Sequence, residues 1–381
     1  GSFLDFGNEP LVENNIDFGF LGAAQDNFVF IPGGLTQANG DFFTFDVFFQ
    51  NFGEAGESLD SLAIWKGEWT NSQYESLDWG KAEVFRPNVH RRPRQEGLRT
   101  ENCQYPASAD LYPVLNNPNM AFSPNGKYGW AFVLGDPEKG DGLYDINPLG
   151  WYSTDSGKTW QGQQGSMEPL EIDLRTLDNG SIIDTLVTID QNGDTVSNGA
   201  AYPLNFDLVV DNDGNPHLFA MIANASDVRD DVTGERRCDS LYFFQPGAAK
   251  AMYELTTYNF GQSWCPKFIA YQNLYNPPIQ GTDIESVNRA QASITPTSDG
   301  SISGQKVFFS WVDDPSPEAI SNDARSFLFD IGYDLETGNS TGITLRGDTS
   351  DLSTEIPGTG VFTDQIFYPT VGPRTLIRQD G

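Results

Sequence analysis

Histidine and cysteine are nearly missing from this sequence of 381 residues, which holds two of the first and three of the second. No Cys-x-x-Cys occurs, so the nitrogen and sulfur ligand set of a zinc site is excluded. Three cysteines cannot build a disulfide framework. Cys238 and Cys265 flank one hairpin region and could be joined in an oxidising compartment, leaving Cys103 alone. Basic residues are also scarce, 22 against 53 acidic, for a formal charge of −31. Such a surface repels nucleic acid and anionic membrane, which excludes both as partners. Long apolar runs are lacking: Trp130–Leu134 is far short of the roughly 20 residues that cross a bilayer. The opening residues, GSFLDFGNEP, have no secretory signal character, so the chain is expected to begin after processing, after a tag scar or inside a longer protein.

Helical periodicity is the last absence. What is present is β-like: aromatics at 13%, 39 glycines, 23 prolines, and short or alternating apolar runs broken by Asn-Gly, Asp-Gly and Pro. Examples are FFTFDVFFQ (42–50), YGWAFVL (128–134), FDLVVD (206–211), KVFFSWV (306–312) and SFLFDIGYD (326–334). A weak repeat organises the middle of the chain into three units within residues 112–346. Each unit reads as strand, tight turn with Gly, strand, long loop, strand, tight turn with Gly, strand. Four antiparallel strands in that order are the plan of a propeller blade. The expected fold is all-β, a propeller of about five to seven four-stranded blades with inserted loops and hairpins. Residues 1–15 are expected to form an extension and 16–381 a single domain, with insertions near 71–111 and 165–202.

The stretch YSTDSGKTW (152–160) carries the most specific signal. Ser153, Asp155, Gly157, Thr159 and Trp160 match the Asp box, S-x-D-x-G-x-T-W, and the chain there resembles sialidase-like (BNR-repeat) propellers. A degenerate copy, TYNFGQSW, places Asn259, Gly261, Ser263 and Trp264 one unit later. An Asp or Asn side chain can accept backbone N–H bonds within a turn, Gly supplies positive φ, and Trp buries its ring beside the hairpin. In the resembled family the box joins a blade's third and fourth strands, so the resemblance implies that Asp155 is structural. The repeat as a whole is also similar to secreted Bacteroidota propellers exported through the type IX pathway. That likeness implies an extracellular or surface-attached protein, from which a C-terminal sorting domain would be missing. Asp-Ser/Thr-apolar triplets at 60–62, 184–186, 194–196 and 239–241 resemble the O-glycosylation sites of such exported proteins.

In a propeller the loops joining strands two and three share one face, and here those loops are long. They hold Asp136 and Asp141, Asp230 and Asp231, and Asp313 and Asp314. Clustered carboxylates suit Ca²⁺, whereas a solvated acidic face is the plainer reading. DQNGDT (190–195) and DNDGN (211–215) fail as EF-hand loops and read as turns. One basic concentration spans Arg86, Arg91, Arg92, Arg94 and Arg99. Its guanidinium forks could grip an acidic glycan or a protein carboxylate, or pair with the chain's own acidic surface. The early Arg-Ile-Pro element of sialidases is missing, because Phe30 precedes Ile31-Pro32 and no Ile separates Arg86 from Pro87.

The leading expectation is a secreted or surface module without chemistry of its own, binding a protein partner or a glycan at the long-loop face. The alternatives are a glycan-active enzyme, hydrolase or lyase, and a structural subunit of a surface assembly.

Overall fold

Short apolar runs bounded by turn residues can bury their side chains only by pairing as strands, and consecutive runs pair most readily as meanders. The computed structural model describes residues 28–50, 61–69, 77–80, 83–85, 87–89, 91–93, 111–113, 115–137, 146–186, 188–189, 195–196, 199–226, 249–272, 290–297, 299–313 and 327–346. The chain divides into two compact units, Gly1–Glu171 and Ile172–Gly381.

The first unit opens with β1 (Phe28–Ala38), β2 (Asp41–Gln50), β3 (Ser61–Trp69) and β4 (Leu77–Trp79), paired antiparallel in chain order. A further strand, β5 (Glu83–Phe85), also pairs with β3. A two-stranded ribbon follows, β6 (Arg91–Pro93) with β7 (Leu111–Pro113). A second meander comprises β8 (Leu115–Phe122), β9 (Gly129–Gly135), β10 (Asn147–Ser153) and β11 (Leu170–Glu171). Every residue of β9 is buried, so its continuous run GWAFVLG has both faces covered. Phe45 and Phe85 reach Trp151 at ring distances of 6.1 and 5.3 Å, placing the aromatic core between the two sheets.

In the second unit, α1 (Ser181–Thr185) precedes the hairpin of β12 (Thr188–Ile189) and β13 (Thr195–Val196). Two more meanders follow. One is β14 (Gly199–Val210), β15 (Pro216–Ser226), β16 (Lys250–Thr256) and β17 (Cys265–Tyr271). The other is β18 (Gln291–Ile294), β19 (Lys306–Asp313), β20 (Phe327–Asp334) and β21 (Thr344–Arg346). Phe219 stacks on Phe309 at 4.5 Å, joining the two sheets through their apolar faces.

Among the described residues the chain is all-β, with very little helix, and the four meanders are four-stranded antiparallel blades, the first carrying β5 as an extra strand. Within each unit the first strands of successive sheets lie side by side, β1 by β8 and β14 by β18. Side-chain amides and carboxylates bolt these neighbours together. Asn39 Nδ2 donates to the Gly126 carbonyl (3.1 Å) and Ser156 Oγ (3.0 Å). Asn205 Oδ1 and Asp207 Oδ2 accept the N–H groups of Ala290 (3.1 Å) and Ala292 (2.8 Å). The bonds to Ala290 and Ala292 satisfy backbone donors at the start of β18.

One expectation needs correction. Residues 165–202 do not consist of extra hairpin strands alone, because the stretch from Gln163 to Thr185 carries 3-10 turns and α1. Positive φ at Asp178 (48°), Asn179 (56°) and Gly180 (88°) interrupts any strand there. Beyond it Ile182 and Leu186 are buried at helical spacing, and only β12 and β13 form the hairpin.

Candidate functional site

The blades have two ends of different construction. At one end lie the first-to-second connections, tight at Asn39–Gly40 and at Asp211–Asn215, and the two Asp-box hairpins. At the other end lie the second-to-third connections, within 51–60, 136–146, 227–248 and 314–326.

The tight-turn end uses its polar side chains to hold backbone. Between β10 and β11, Ser153 Oγ donates to Asp155 Oδ1 (2.9 Å) and accepts the Gly157 N–H (2.9 Å). Asp155 Oδ1 takes the Thr159 N–H (2.9 Å) and Oδ2 takes the Thr159 hydroxyl (2.8 Å). Burial opposes ionisation, but these bonds outweigh it and hold the Asp155 carboxyl below the usual range. Gly157 sits at φ 77°, and a Cβ there would meet the Phe43 ring at 2.7 Å. Trp160 is buried against Phe122 at 5.8 Å. The copy between β16 and β17 repeats the network. Thr257 Oγ1 donates to Asn259 Oδ1 (2.8 Å) and accepts the Gly261 N–H (3.0 Å). Asn259 Oδ1 accepts the Ser263 N–H (3.0 Å), and its Nδ2 donates to Ser263 Oγ (2.8 Å). DNDGN is likewise a turn, in which Asp211 accepts the N–H groups of Asp213 (3.0 Å) and Asn215 (2.7 Å). Both Asp-box hairpins are therefore turn devices, each joining a third strand to a fourth.

A buried ionic clamp at this end escaped sequence reasoning. His217 on β15 sits between Glu254 on β16 (Nδ1 to Oε1, 2.6 Å) and Asp211 of the preceding turn (Nε2 to Oδ2, 3.6 Å). Burial alone would push the imidazole down, but the two carboxylates reverse this and hold it at about 9. The imidazole is thus charged at neutral pH. Lys267 Nζ lies 3.8 Å from Glu254 and 3.3 Å from the centroid of the Tyr333 ring. The three clamp residues come from two strands and one turn, so no spacing in the sequence announces them.

The long-loop end is built differently. Three successive blades bury a polar residue at or near the end of the second strand: Asp136, Asn224 and Asp313. In the second unit Lys250 opens β16, and burial pushes its ammonium down while the charge of Asp313 pulls it up. In the first unit Asn147, buried at the head of β10, donates to Glu171 Oε1 (2.7 Å). A backbone bridge from Val89 to Pro137 lays the residues just before β6 against the residue after Asp136. Of the acidic candidates, Asp136 and Asp313 are therefore at this end. Asp141, Asp230, Asp231 and Asp314 lie outside the described residues. Arg91 and Arg92 are on β6, while Arg86 and Arg94 also lie outside. Asn224 and Lys250 were missed, although each stands where an apolar run meets a loop.

Among the described residues no three His, Cys, Asp or Glu are grouped to hold a metal ion, and no helix is long and apolar enough to cross a membrane. Cys265 is exposed with a free thiol at the tight-turn end of β17, and Cys238 lies outside the described residues.

No protein-family profile matches the chain, and no curated protein matches it. Solved structures give low-level likenesses. An α-L-arabinofuranosidase from Fusarium graminearum is similar over 80% of this chain and 62% of its own, at 9% identity and a TM-score of 0.34. An α-L-arabinanase from Penicillium chrysogenum is similar over 83% and 66%, at 10% identity and a TM-score of 0.35. A glycosyl hydrolase from Bacteroides ovatus is similar over 84% and 70%, at 9% identity and a TM-score of 0.32. The chain spans slightly less than two thirds of the length of the first two.

Proposed function

We propose that the chain is a glycan-active β-propeller, a glycoside hydrolase or lyase working at the long-loop ends of its blades, with Asp136 in the first unit and Asp313 in the second as its candidate acidic groups. The observation that carries this reading is the burial of Asp136, Asn224 and Asp313 at one end of three successive blades. A buried carboxylate at a strand end where a long loop begins is a candidate for contact with a ligand. Closure of the blades into one ring over residues 16–381, an extracellular location and sialidase-like ancestry belong to this proposal. The non-catalytic binder is the second reading, favoured by exposed aromatic side chains on the outer strand β17.

The test is release of reducing ends from a panel of neutral and acidic polysaccharides, compared with Asp136→Asn and Asp313→Asn. Cleavage by the wild type that falls at least a hundredfold in either variant is the expected result. Retention of a glycan without cleavage would favour the binder and overturn the enzyme.

A further inference from the structure

β17 is the outer strand of its sheet, and two of its side chains stand open to solvent: Phe268 is 41% and Tyr271 54% exposed. Three residues apart on a regular strand, they would point to opposite faces. A bulge removes that alternation. Phe268 pairs with Tyr253 and Ala270 with Met252, so Ile269 is the extra residue and Tyr271 comes to face Ala251. Phe268 and Tyr271 therefore share a face, their ring centroids 4.8 Å apart at 61°. The buried Tyr253 ring backs Phe268 at 5.8 Å. The Tyr271 hydroxyl donates to the Thr185 carbonyl at the end of α1 (3.4 Å), so the ring is held from its tip while its face stays open.

Three observations decide what such a surface takes. A partner strand is obstructed, because Pro266 has no N–H to offer and the bulge breaks the register. A protein interface needs roughly 1,200 Å² or more, far beyond two aromatic side chains. An anionic ligand is opposed by the formal charge of −31. A neutral sugar ring meets all three conditions. Its C–H faces can lie on aromatic faces, whose quadrupole is negative, and its hydroxyls stay hydrated or reach the exposed Asp184 beside Thr185.

We infer that Phe268 and Tyr271 form an accessory binding site for a neutral saccharide, arranged by the bulge at Ile269. The inference rests on the glycan reading above for its ligand class, but on none of the loop-end carboxylates.

The experiment is affinity electrophoresis of the full chain in gels holding arabinan, xylan or mannan, with polygalacturonate as the anionic control. The wild type should be retarded in at least one neutral gel. Phe268→Ala and Tyr271→Ala should each weaken that retention at least tenfold at an unchanged Tm, and Tyr271→Phe should keep most of it. Phe268→Leu, which keeps the apolar volume, stands in if Phe268→Ala unfolds. Retention indifferent to both positions, retention by polygalacturonate alone, or no retention at all would overturn the inference. Failure of the functional reading looks different: it appears as cleavage indifferent to Asp136→Asn and Asp313→Asn, whatever happens in the gels.

Discussion

The hairpin at Ser153–Trp160 and its copy at Thr257–Trp264 perform one task with different chemistry. In the first, a carboxylate accepts from both the amide and the hydroxyl of Thr159. In the second, an amide accepts from the Ser263 N–H and must donate to the Ser263 hydroxyl. The turn therefore needs an acceptor at Oδ1 and a partner for the second atom, and it does not need a charge. The anchorage of the two hairpins differs more deeply. The first is fixed by packing, with Trp160 buried and Gly157 pressed against the Phe43 and Phe122 rings. The second has a half-buried Trp264 and stands beside the charged clamp of Asp211, His217 and Glu254. A shared turn motif does not imply a shared means of holding the sheet end.

The comparison breaks most sharply at His217. His217→Ala leaves two buried carboxylates facing each other, and a loss of about 3–5 kcal/mol in urea unfolding is expected. Alkaline titration should come next. The folded value of about 9 lies above the ordinary 6.5, so the stabilisation is full below pH 6.5 and fades as pH rises through about 9. The gap is worth roughly 3 kcal/mol at most, read from unfolding midpoints between pH 6 and 10, and His217→Gln should flatten the profile. Asp155→Ala should cost about 0.5–1.5 kcal/mol by removing the acceptor of the exposed Thr159 donors. Asp155→Asn should cost less than about 1 kcal/mol, because the copy already works with Asn259. The depressed carboxyl of Asp155 stabilises above the ordinary carboxylate range, and that contribution is lost as pH falls. Asn259 contributes no such acid limb.

These hairpins were legible because their chemistry is local: Ser, Asp, Gly and Thr within seven residues determine the bonds that close the turn. The blades were legible for the same reason, as alternation and turn residues bound β8 to β10, β14 to β17 and β18 to β20. The clamp was not, since Asp211, His217 and Glu254 meet only after β15 and β16 have paired. Phe268 and Tyr271 were hidden by a bulge that reverses the side-chain alternation of β17. Within 165–202 the helix α1 was missed because its five residues are too few to show a period. Asp136 and Asp313 were found as members of acidic loops, but their burial follows from sheet packing, which no charge count contains.

Paired measurement of turnover and Tm tests the division of labour between the two ends most directly, on whichever polysaccharide the wild type cleaves. Asp155→Asn should lower Tm slightly and leave turnover within about twofold, while Asp313→Asn should lower turnover at least a hundredfold. Turnover lost in Asp155→Asn at an unaltered Tm, with Asp313→Asn fully active, would contradict the account.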